Sequence, residues 1–300
     1  PSATISLYCL VTLLAAGAQL FRLSALGYLA PVLLFAPYAL TIVWADIGPH
    51  WRGFMFAPLA AAYLLAAEYD LFRNEERRLS MGRLLDLGGT PLRSLFAQPL
   101  LLAGFASAGV ALVFGAVDMI GIAANDTLEF EGAGRVSPWT YLLVAGAFAG
   151  SAYLRRTSIF VHVAAWVALP FILVLAERGF YAGWDFDGPR YALMLGVLAL
   201  GYLALGLALD RVPGHYSKAL YLVGYVLTLV GMFGTIPVKE FNLAIVTMSV
   251  SVYGGSAYLV HRGGHPAFQW LVSRVYADET GLEHRLARGA FLYLAVGIFP

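Results

Sequence analysis

Trp184, Asp185 and Asp187 fall within four consecutive residues of the stretch GFYAGWDFDGPR, residues 179–190. An indole face can stack on a sugar ring while two carboxylates hold its hydroxyls. The same carboxylates can ligate a divalent cation through oxygen. The plainer alternative is an aromatic belt at a membrane surface with solvated acids beside it. Trp44, Trp51 and Trp139 are expected near the same face as Trp184, as that alternative requires. Two further ionisable groups, His162 and Asp70, fall inside apolar stretches, where such groups point to function by default. His162 can handle a proton or ligand, or pack with a simple hydrogen bond. Asp70 can reach interfacial water or meet Arg73 one turn on.

Other chemistry is poorly supplied. The pentapeptide GSAYL occurs at 150–154 and again at 255–259, so Ser151 and Ser256 each follow a glycine. Neither has a base nearby in sequence to activate it as a nucleophile. His261 and His265 are four apart, but Gly263, Gly264 and Pro266 oppose the helix that such ligand spacing needs. Cys9 is the one cysteine, so no internal disulfide and no Cys-based metal site is expected. No phosphate-binding loop, zinc-protease or haem-attachment motif is present. No cofactor and no metal are expected.

The Asp185-x-Asp187 pair is similar to a feature of lipid-linked-sugar glycosyltransferases, which carry acidic pairs in an external loop. That resemblance implies a membrane enzyme acting on a lipid-linked substrate. EERRLSMGRLLDLGGTPLRSLF, residues 75–96, resembles the segment of MacB-type export permeases that follows a span and meets the ATPase. Those permeases have four spans and a large external domain, unlike the array described next. Within the same stretch Met81, Leu84, Leu85 and Leu87 share one helical face, which suits a helix lying on the inner leaflet.

The elements that must position these residues are set by composition. Of the 300 residues 60% are hydrophobic and 12% charged, against roughly 25% charged in a soluble domain. Long apolar runs alternate with short polar punctuation, which predicts an all-α, polytopic helical membrane protein. Strand alternation, the mark of a membrane barrel, is absent. Nine spans are expected: Thr4–Phe21, Ser24–Ala45, Gly53–Phe72, Leu95–Val117, Pro138–Leu154, Ser158–Ala176, Tyr191–Leu209, Ala219–Ile236 and Phe241–Val260. Part of a tenth is expected over Gly289–Pro300, giving about ten transmembrane helices. The chain opens on Pro1 and closes partway through an apolar run, so it reads as a slice of a longer polypeptide.

The loops after odd-numbered spans hold 14 of the 19 Lys and Arg residues. The positive-inside bias then places residues 73–94 and 261–288 in the cytoplasm of a cell with an inner (plasma) membrane. Residues 118–137 and 177–190 fall outside. Tyr8–Arg22 aligns without a gap on Tyr141–Arg155 with six identities in 15, and the same offset carries Pro37 onto Pro170. LAAAYL at 59–64 matches LALGYL at 198–203. Together with the GSAYL doublet these matches predict parallel four-helix repeats: 1–137, 138–240 and a partial third copy at 241–300.

Three functions fit. The first is a structural or assembly component of the inner membrane, with no chemistry in the spans. The second is an enzyme using the external loop with Trp184, Asp185 and Asp187. The third is a permease for a neutral or apolar solute. The expected partners are the lipid bilayer, other membrane subunits and other parts of the same chain. A net charge of +1 with no basic face argues against nucleic acid.

Overall fold

The computed structural model describes residues 2–68, 92–124, 133–155, 158–180, 188–209 and 216–261. Nine helices lie among them: α1 (Ser2–Phe21), α2 (Ser24–Trp44), α3 (Pro49–Glu68), α4 (Leu92–Ala124), α5 (Ala133–Arg155), α6 (Ser158–Phe180), α7 (Gly188–Leu209), α8 (Tyr216–Gly234) and α9 (Lys239–His261). Each of the first nine expected spans overlaps one of them. The span expected at Gly289–Pro300 lies outside the described residues. Among the described residues five helices are long and apolar enough to cross a membrane: α1, α2, α4, α7 and α8. The apolar window in α4, Leu95–Val117, coincides with the expected span. The chain is an all-α, polytopic membrane protein.

Local chemistry sets the boundaries. α3 begins earlier than the apolar run does, at Pro49. Proline suits a first helical turn, because its missing N–H has no partner there anyway. Between α1 and α2 the chain turns through Arg22 at φ 55°, and after α2 through Asp46 at φ 52°. Both are left-handed conformations of the kind that ends a helix. α4 runs for 33 residues and overshoots its apolar window at both ends.

The helices form two compact units, residues 1–155 and 156–300. In the first, α3 packs most extensively on α4, α5 packs on both, α2 packs on α4, and α1 pairs with α2. In the second, α7 packs most extensively on α8, α6 packs on α8, and α9 packs on both α7 and α8. Close contacts depend on missing side chains. A methyl group on Gly104 of α4 would sit 2.8 Å from Leu64 Cγ of α3, and one on Gly53 would sit 3.0 Å from the Ala111 carbonyl. In the second unit, a methyl on Gly224 of α8 would sit 2.7 Å from Leu203 Cγ of α7, and one on Gly231 would sit 2.9 Å from the Ala192 carbonyl. Small residues let backbones approach where lipid gives no hydrophobic drive for helix association.

Tyrosine hydroxyls brace the helices. Tyr63 of α3 donates to the Pro31 carbonyl of α2 at 2.8 Å, and Tyr38 of α2 donates to the Met55 carbonyl of α3 at 2.6 Å. Tyr202 of α7 donates to the Ala165 carbonyl of α6 at 2.8 Å. Proline in membrane helices is tolerated when neighbouring groups re-satisfy loosened backbone. Pro31 and Pro37 lie in α2, Pro58 in α3 and Pro170 in α6, so each of these bonds meets a proline-bearing helix.

The GSAYL doublet has a packing answer. Ser151 and Ala152 of α5 are buried, as are Ser256 and Ala257 of α9, while Tyr153 and Tyr258 face outward. The match continues upstream: Thr140, Val144 and Phe148 are buried in α5, and so are Ile245, Ser249 and Tyr253 in α9. Ala18, which aligns with Ser151, is the buried residue of α1.

Candidate functional site

The richest polar constellation among the described residues lies between α8 and α9. Tyr225 and Thr228 stand three apart on α8, as do Tyr253 and Ser256 on α9, so each pair shares a helix face. The two phenol rings stack with centroids 5.6 Å apart and planes 18° from parallel.

The hydrogens can be followed round the cluster. Ser256 Oγ donates to the Val252 carbonyl at 2.8 Å, so it accepts from the Tyr225 hydroxyl at 2.5 Å. Thr228 Oγ1 donates to the Tyr225 carbonyl at 2.7 Å, so it accepts from the Tyr253 hydroxyl at 3.1 Å. The Tyr253 proton is shared with the Tyr225 carbonyl at 3.3 Å. Thr228 is fully buried, and Tyr253 and Ser256 are buried. Each of the four hydroxyls is thus engaged, which spares the cost of an unpartnered polar group in an apolar solvent.

The first unit holds a counterpart without hydroxyls. Phe105 of α4 and Phe148 of α5 stack at the same 5.6 Å centroid distance, with planes 29° apart. Ser151, one turn beyond Phe148, is fully buried and its Oγ has no hydrogen-bond partner. The difference has a simple cause. Ser256 is served by the phenol of Tyr225, whereas Phe105 has no hydroxyl to offer Ser151.

The hydrogen bonds traced here run between hydroxyls and backbone carbonyls of described residues. A serine without a base is not an activated nucleophile. What the arrangement does is fasten one helix to another.

The residues singled out from the sequence fall elsewhere. Asp70, Trp184, Asp185 and Asp187 lie outside the described residues, as do His265 and the stretch 73–91. His162 is half-buried in the second turn of α6. Among the described residues no group of three His, Cys, Asp or Glu side chains converges. Cys9 is exposed on α1. Reasoning from charged residues missed Tyr225, Thr228 and Tyr253. The available signal was the pair of Tyr-x-x-Thr and Tyr-x-x-Ser spacings on neighbouring spans.

Comparison of the chain with protein-family models, curated proteins and solved structures finds no match.

Proposed function

We propose that this chain is a structural or assembly component of a bacterial-type inner membrane, made of parallel four-helix copies and devoted to helix packing. One observation carries the reading. Among the described residues the buried polar side chains outside the tyrosines are all Ser or Thr: Ser107, Ser137, Thr140, Ser151, Ser217, Thr228, Thr235, Ser249 and Ser256. A coupled transporter or membrane enzyme needs ionisable or broken-helix sites inside the bundle. Among the described residues the interior is occupied by aliphatic side chains, small residues, aromatic rings and hydroxyls.

Repetition supports the copies at 1–137, 138–240 and 241–300. Gly104 with Leu64 has its counterpart in Gly224 with Leu203, and Tyr63 with Pro31 in Tyr202 with Ala165. The pairing of α2, α3 and α4 recurs in α6, α7 and α8. The compact units divide at 155, one helix later than the copies do. A tandem array expects that offset, because the first helix of each copy covers the preceding copy. About ten spans, with residues 73–94 and 261–288 cytoplasmic and 118–137 and 177–190 external, complete the proposal.

The test is complementation. In a strain lacking the gene, the Asp185→Asn/Asp187→Asn double variant should restore the wild-type phenotype, and gentle detergent extraction should recover the protein with other membrane polypeptides. A double variant that reaches the membrane in normal amount yet fails to complement would replace this reading with the enzyme acting through Trp184, Asp185 and Asp187.

A further inference from the structure

We infer that Tyr225, Thr228, Tyr253 and Ser256 form a polar lock that fixes the rotation and depth of α9 on α8, where side-chain packing alone is too sparse to do so.

The contrast between α5 and α9 carries the argument. Both are 23-residue helices that lie against the tightest helix pair of their unit, and the five buried positions of α9 are all buried at the matching places of α5, which buries six more besides. α5 packs broadly on α3 and α4, whereas α9 packs only lightly on α7 and α8. In lipid, helices associate through packing and interhelical hydrogen bonds, because the solvent is as apolar as the side chains. A helix that packs thinly on its described neighbours therefore relies on its hydrogen bonds to hold its place on them. The hydroxyls occur where packing is thin, and the well-packed counterpart manages with Phe105 and Phe148.

Directionality makes the cluster a lock and not a mere adhesive. Tyr225 on α8 reaches Ser256 on α9, while Tyr253 on α9 reaches Thr228 on α8. The two bonds run in opposite senses between the helices. Rotating α9, or sliding it by a turn, breaks both and leaves two phenol hydroxyls in hydrocarbon, which is costly. The stack itself does not need the hydroxyls, since the Phe105–Phe148 pair has the same centroid separation. Replacing both tyrosines by phenylalanine thus removes the lock and preserves the ring packing.

Spin-label distances test this in the full chain, reconstituted in lipid nanodiscs. With Cys9→Ala as background, labels go on Leu222→Cys of α8 and Tyr258→Cys of α9, both exposed. The control pair is Leu102→Cys of α4 and Tyr153→Cys of α5, also exposed. The Tyr225→Phe/Tyr253→Phe variant should broaden the α8–α9 distribution or add a second distance, displaced by up to about one helical turn, roughly 5 Å. The α4–α5 distribution should stay unchanged. An α8–α9 distribution that does not respond overturns the lock, and so does equal broadening of both pairs, which would mark general loosening. The choice of control rests on the four-helix copies. If the unsubstituted protein gives unlike mean distances for the two pairs, the copy correspondence fails, while the comparison with and without the hydroxyls still decides the lock.

Discussion

The hydroxyl of Tyr63 and the carbonyl oxygen of Pro31 are 2.8 Å apart and join α3 to α2. The bond between Tyr202 and Ala165 joins α7 to α6 at the same length. Interhelical side-chain hydrogen bonds in membranes average about 0.6 kcal/mol and reach about 1.7 kcal/mol. Tyr63→Phe and Tyr202→Phe should each lower stability within that range and by similar amounts. Reversible unfolding in mixed micelles measures both. A large loss for one with none for the other would mean that the two bonds are not counterparts.

The glycines divide by what stands opposite them. A methyl on Gly104 or Gly224 presses first on a leucine Cγ and Cδ2, which can give a little, with a backbone atom (Leu64 N or the Ala199 carbonyl) behind at 3.2 Å. A methyl on Gly231 meets the Ala192 carbonyl at 2.9 Å and the Gly196 Cα at 3.2 Å, which cannot move without shifting a helix. Overpacking costs typically 1–3 kcal/mol, roughly. Gly231→Ala should fall at the upper end and Gly104→Ala and Gly224→Ala at the lower, read from thermal aggregation midpoints in detergent. The reverse order would refute the assignment of backbone contact at Gly231.

Ser151 offers a gain. Its buried Oγ lacks the partner that Ser256 has in Tyr225. Phe105→Tyr places a phenol where the counterpart carries one, so the variant should be more stable by about 0.5–1.5 kcal/mol. The paired variant Phe105→Tyr/Ser151→Ala should lose that gain. If the two variants unfold alike, the new hydroxyl is not reaching Ser151.

Sidedness is open to direct labelling. Cys9→Ala leaves a cysteine-free chain, to which Ser80→Cys or Thr127→Cys can be added. With the basic loops inside, an impermeant maleimide applied to intact cells should label position 127 and spare position 80. Labelling at 80 would invert the proposed orientation.

The spans were legible because about 20 apolar residues have few other places to go in a chain this hydrophobic. Leu95–Val117 shows how well that ruler works in the middle of a helix. It works less well at helix ends, where Pro49 starts α3 in polar surroundings and α4 extends past its apolar core. GSAYL was legible as repetition, and both copies share one burial pattern: serine and alanine face in and tyrosine faces out. The hydroxyl cluster was not legible. Tyrosine and threonine carry no charge to mark them within a span, and their value comes from a second helix whose rotation the sequence does not display. The acids of the 179–190 loop stood out in the sequence for the opposite reason, and Asp185 and Asp187 lie outside the described residues.

The division of the compact units after Arg155, one helix beyond the proposed copy boundary at 137, bears on how such a protein can be cut. Severing the chain after residue 137 would strip α5 from the α3–α4 pair and uncover Gly115, which lies beneath Tyr141. Severing it after residue 155 would leave that pair roofed. On the proposed copies, a cut at the copy boundary therefore lays bare a helix face that a cut one helix later keeps covered.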